Sequence, residues 1–83
     1  KGQNRKLKFS YNEQKEYESI DSEIAALEEK LESLERQMEA NATNSVKLKE
    51  LLEEQEKTNA LLEKKTERWV YLNELAEKIA EQE

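Results

Sequence analysis

The sequence contains no cysteine, no histidine and no proline, and its single glycine is Gly2. Disulfide scaffolds, zinc sites and thiol or imidazole catalysis are therefore absent, and one glycine cannot build a phosphate-cradling loop. Aromatic residues are sparse, at 6%. No apolar run approaches the roughly 18 to 20 residues needed to span a bilayer, and the basic opening lacks the apolar stretch of a secretory signal. The chain reads as soluble and cytoplasmic, without a membrane partner. Carboxylates are plentiful, but nothing near them would raise a pKa or seat a substrate. No catalytic residue, cofactor site or metal site is expected in these 83 residues.

What the chain has is charge, at 41% of positions, which is too polar for a thick globular core. Ala, Glu, Lys, Leu and Arg make up well over half of it, the composition of long helices and coiled coils. The net charge of −6 is unevenly spread. Lys1, Arg5, Lys6 and Lys8 precede the first acid, Glu13; taking those four from the 14 basic residues leaves ten to face 20 acids. That balance argues against general affinity for nucleic acid, and any polyanion contact must come from local patches.

Residues 1–9 show neither helical nor strand periodicity and read as a basic arm or the end of a linker, an opening expected of a piece of a longer chain. Residues 10–83 read as one domain. Ser10 and Glu13 have capping-box spacing, which starts a first helix over about 11–41. Tyr17, Ile20, Ile24, Leu27, Leu31, Leu34 and Met38 then alternate steps of three and four, keeping one apolar seam on the helix. Asp21 or Ser22 offers a second cap, so a break near 20–21 is an open alternative. Asn41-Ala42-Thr43-Asn44-Ser45 favours turns, which places a loop at 42–45. Asn41-Ala42-Thr43 also matches the glycosylation triplet, read as chance in a chain with no export signal.

The alternation resumes in a second helix over about 46–81, through Leu48, Leu51, Gln55, Thr58, Leu62, Lys65, Trp69, Leu72, Ala76 and Ile79. Gln55, Thr58 and Lys65 weaken this seam, while Leu52, Leu61 and Leu75 widen the apolar face beside it. A short loop between two long amphipathic helices makes them antiparallel neighbours. The fold class is thus all-α: an antiparallel two-helix coiled-coil hairpin with a basic N-terminal arm, closing on itself as a monomer. Facing positions should sum to about 86 to 87, given equal rise along both helices. Tyr17 should then face Trp69, and Phe9, Tyr11, Tyr17, Trp69 and Leu72 should cluster at the open end. Glu53 with Lys57 and Glu74 with Lys78 are spaced for pairing along the second helix.

The first candidates for phosphate contact are the arm cations Lys1, Arg5, Lys6 and Lys8. The second are Lys57, Lys64 and Lys78, which recur at one outer position of the second helix, together with Arg68. The bland alternative for that row is a solvated, salt-bridged exterior. Trp69 lies on the seam and reads as core rather than as a base-stacking platform; Tyr71 falls on the outer face.

Lys8-Phe9-Ser10-Tyr11-Asn12-Glu13-Gln14-Lys15-Glu16-Tyr17-Glu18-Ser19-Ile20 resembles the K-L-S-Y-K-E-Q-R-E-L-E-x-L opening of the C-terminal domain of Uup-type ABC-F ATPases. Glu67-Arg68-Trp69-Val70-Tyr71-Leu72-Asn73-Glu74-Leu75 is similar to that family's E-R-W-x-x-L-x-x-L segment. The likeness runs from Lys6 to about Leu75 and departs at Asp21, where relatives often carry Pro, and in its strongly acidic helices. The resemblance implies a coiled-coil hairpin joined by a basic linker to two upstream ATP-binding cassettes, with ATP and Mg bound there. It also implies ribosome association, a role in translation, and a C-terminal module that binds DNA or ribosomal RNA. Two alternatives stand beside it: a protein-interaction or oligomerisation coiled coil, and a passive spacer.

Overall fold

In the computed structural model, which describes residues 7–82, the chain forms two helices, α1 (Tyr11–Ala40) and α2 (Ser45–Glu81), packed side by side and antiparallel. The described residues make a rod about 69 Å long and 15 to 16 Å across. Ser10 caps α1: its hydroxyl accepts the Glu13 amide at 3.1 Å, and the Glu13 carboxylate accepts the Ser10 amide at 3.0 Å. This satisfies two of the donors that a helix start leaves open. α1 runs unbroken through Asp21 and Ser22. The Asp21 side chain is engaged across the hairpin instead of capping a new start.

At the tip the Asn41 amide donates to the Gln37 and Met38 carbonyls, and its side chain also donates to the Gln37 carbonyl at 2.8 Å. The Asn44 side chain then accepts the Lys47 amide at 3.1 Å and starts α2. Short polar side chains thus supply the bonds that both helix ends lack.

The buried residues are Ile20 and Leu34 of α1 and Leu51, Thr58 and Leu72 of α2, all members of the two alternating seam series. The remaining seam positions are half-buried, with one exception described below. A two-helix rod has no third layer, so only side chains aimed at the partner axis leave water completely. Thr58 fits there because its hydroxyl donates to the Glu54 carbonyl at 2.8 Å.

Register is constant along the rod. Glu16 meets Arg68 and Lys30 meets Glu54, a step of fourteen residues in α1 matched by fourteen in α2. These pairs lie on one flank, at position sums slightly below the expected value; Asp21 with Trp69, on the other flank, lies slightly above it. The seam axis runs between the two.

Candidate nucleic-acid interface

Of the arm cations, Lys1, Arg5 and Lys6 lie outside the described residues, and Lys8 is exposed. The described part of the arm lies along the end of α2. The Gln82 side-chain amide accepts the Leu7 amide at 3.0 Å and donates to the Leu7 carbonyl, holding both backbone polar groups of one residue. Phe9 stacks at a tilt on Tyr17, with centroids 5.0 Å apart.

Lys57, Lys64 and Lys78 are exposed along one edge of α2 and form no salt bridge among the described residues. The anticipated pairs Glu53–Lys57 and Glu74–Lys78 do not form. Both lie wholly on the solvated exterior, where water competes well with an ion pair. Arg68 is placed differently from the lysines. Its Nε and Nη2 each donate to a Glu16 carboxylate oxygen at 2.8 Å, and its guanidinium lies over the Tyr71 ring, 4.9 Å from the centroid. The carboxylate holds Arg68 above its ordinary pKa, and the guanidinium holds Glu16 below the usual carboxylate range. Arg68 therefore serves first as a cross-helix clamp.

Around it lies a network that the sequence did not announce. The Tyr71 hydroxyl donates to the second oxygen of Glu13 at 2.7 Å, so α2 holds the carboxylate that caps α1. The Ser10 amide is the larger cause of the lowered Glu13 pKa and Tyr71 the next, while that same bond to the carboxylate pushes the Tyr71 phenol up. Farther along, Lys65 binds Glu23, and Lys30 donates to Glu54 at 2.6 Å. Each lowers the pKa of its carboxylate, Glu23 with further help from the Ser19 hydroxyl at 2.9 Å. The signal that could have found these pairs was present: Glu16, Glu23 and Lys30 recur every seven residues, as do Glu54, Leu61 and Arg68 in the antiparallel helix.

The aromatic grouping is smaller than expected. Leu72 is fully buried, but Tyr11 is 75% exposed, with Lys15 over its ring, and Trp69 is 39% exposed. Trp69 occupies a seam position, yet its indole N–H donates to Asp21 Oδ1 at 2.8 Å on the flank away from the ion pairs. Its expected neighbour, Tyr17, is taken by Phe9, and an indole N–H seeks an acceptor that the apolar seam lacks. Trp69 and Asp21 line a shallow cleft of about 310 Å³ with Ile24, Glu28 and Thr66. That flank is acidic on α1, where Asp21, Glu28 and Glu35 recur at seven-residue intervals and are exposed. The hairpin is therefore electrically two-sided. On one flank the acids are matched by cross-helix cations and the lysine row stands free; on the other no basic side chain answers the α1 acids through a salt bridge among the described residues.

The architecture defines an antiparallel coiled-coil hairpin stitched by cross-helix polar contacts. No helix among the described residues is long and apolar enough to cross a membrane. Residues 8–74 match the family described as the ABC transporter C-terminal domain, and the chain belongs to that family. It is 39% identical over 75 residues to the uncharacterized ABC transporter ATP-binding protein YfmR of Bacillus subtilis (strain 168). The match covers 90% of this chain and 12% of that relative, so the chain corresponds to a small part of such a protein. No solved structure matches it.

Proposed function

We propose that this domain is a non-catalytic nucleic-acid-binding module, for DNA or ribosomal RNA, of a Uup-type ABC-F ATPase acting on the ribosome in translation. The observation that carries the reading is the charge arrangement. Lys57, Lys64 and Lys78 stand free on the flank where Glu16, Glu23 and Glu54 are neutralised by partners, and the sequence ahead of α1 adds Lys1, Arg5, Lys6 and Lys8. A polyanion approaching that flank meets the lysine row, bordered on its outer side by the exposed acids Glu53, Glu67, Glu74 and Glu81, whereas the Asp21–Glu28–Glu35 flank repels it. Arg68 contributes shape and leaves direct contact to the lysines. ATP and Mg would bind in cassettes elsewhere in a cytoplasmic parent protein, which the hairpin serves as a semi-rigid arm.

The test is an anisotropy titration with duplex DNA and with a structured ribosomal RNA element at several salt concentrations. Replacing Lys1, Arg5, Lys6 and Lys8 by alanine should flatten the log–log salt slope on duplex DNA by about 3.6, at roughly 0.9 per phosphate contact. The ratio of the two affinities identifies the preferred polyanion. An unchanged slope and affinity would remove the arm from the interface.

A further inference from the structure

Three consecutive flank positions of α2 are Glu54, Leu61 and Arg68, and the facing positions of α1 are Lys30, Glu23 and Glu16. The outer two rungs of this ladder are ion pairs, Lys30–Glu54 and Arg68–Glu16. The middle rung carries a leucine, and Glu23 reaches past it to Lys65. Leu61 is left 50% exposed. It opens a groove of about 450 Å³ whose apolar floor is Ala26, Leu27 and Leu61 and whose walls are Glu23, Lys30 and Lys65. Ala26 keeps the α1 side low enough for a third backbone to come close. The two lysines in the walls are matched by Glu54 and Glu23, but Lys57 and Lys64, one turn either side of Leu61, are exposed and form no salt bridge among the described residues.

We infer that this groove docks a third helix, an acidic amphipathic helix of a protein partner, which sets an apolar side chain on Leu61 and Ala26 and carboxylates against Lys57 and Lys64. Beside Leu61 the free charge is positive, while Glu29 is exposed one turn from Ala26 on the α1 side, so a helix that presents carboxylates to α2 is drawn in and one that presents cations there is repelled. This surface goes beyond the nucleic-acid reading. The two share Lys57 and Lys64, while Leu61 belongs to the groove alone.

The probe is a fluorescein-labelled three-heptad helical peptide with Leu on one stripe and Glu at the flanking positions, together with a twin in which every Glu is Lys. Anisotropy with the 83-residue chain should show binding of the acidic peptide and none of the twin. Leu61→Gln, neutral and favourable in a helix, should weaken binding about tenfold or more and leave affinity for duplex DNA unchanged. Ala26→Gln, which fills the groove from the other helix without adding charge, should do the same to the peptide and guards against a folding effect at position 61. Amide shifts on peptide addition should centre on Ala26, Leu27 and Leu61. The inference is overturned if the acidic peptide fails to bind, if the Lys twin binds equally, or if Leu61→Gln leaves peptide affinity intact. Equal losses of peptide and DNA affinity in Leu61→Gln would also overturn it, by making the surface a nucleic-acid one.

Discussion

Thr58→Val should make the hairpin more stable. Thr58 is the buried polar side chain of the seam, 2% exposed, and its hydroxyl donates to the Glu54 carbonyl one turn back. That carbonyl also accepts the Thr58 amide in the ordinary helical pattern, so removing the hydroxyl leaves no acceptor without a partner. A hydroxyl bonded back to a carbonyl that the helix already uses contributes little or slightly destabilises once desolvation is counted. A methyl group of nearly the same shape gives up that small contribution and adds roughly 0.8 kcal/mol of burial. Valine and threonine have similar helix propensities, so the backbone contributes little to the difference. The net expectation is a gain of about 1 kcal/mol, equivalent to a rise of about 4 to 8 °C in Tm for a chain of this size. Far-UV circular dichroism melts and urea titrations at two protein concentrations measure it. A lower or unchanged Tm at constant m-value would refute the reasoning and mean that the hydroxyl holds the neighbouring seam in place.

Other expectations follow from named contacts. Leu72→Ala empties the most completely buried site and should cost about 2 to 5 kcal/mol, enough to leave so thin a domain largely unfolded in the same melts. Glu13, Glu16, Glu23 and Glu54 all titrate below the ordinary 4.5, so near that pH the folded hairpin binds fewer protons at these sites than the unfolded chain. Their contribution is complete above about pH 5 and is lost as pH falls through the lowered values, and Glu16→Gln should show a shallower acid loss than the parent in urea titrations. Ser10→Ala removes the α1 cap and should cost about 1 kcal/mol, with amide exchange accelerated first in the turn after Tyr11. Asp21→Ala frees the Trp69 indole and should raise its acrylamide quenching while leaving helix content unchanged.

Much of this architecture was legible in the sequence because the seam is a property of spacing. Ile20, Leu34, Leu51 and Leu72 are buried at positions set by the three-and-four alternation alone. The cap at Ser10 was legible for a similar reason, being a local contact between residues three apart. What escaped was the selection of partners by long side chains. Arg68 had the reach to extend into solvent with Lys64, and its union with Glu16 is settled only once the register brings the two flanks within a few ångströms. Trp69 had a seam address but departed from it, because Phe9 claimed Tyr17 and Asp21 offered an acceptor. Tyr71 shows the same limit: its outward placement was readable, but its bond to the Glu13 carboxylate that also caps α1 depends on the fold.

The clasp between Leu7 and Gln82 has a mechanical consequence. It brings the chain before α1 and the chain after α2 to the same extremity, with the Asn41–Asn44 turn at the far one. Tension applied between residues 7 and 82 would therefore peel the helices apart rather than slide them past each other. Load would fall on one rung at a time: the clasp first, then Tyr71–Glu13, then Arg68–Glu16, and so on toward the turn. Opening of this kind proceeds at low force and re-closes from the tip, as in a zipper. A push against the turn, by contrast, is carried along both helices at once, so the rod is stiff under compression and yields to traction.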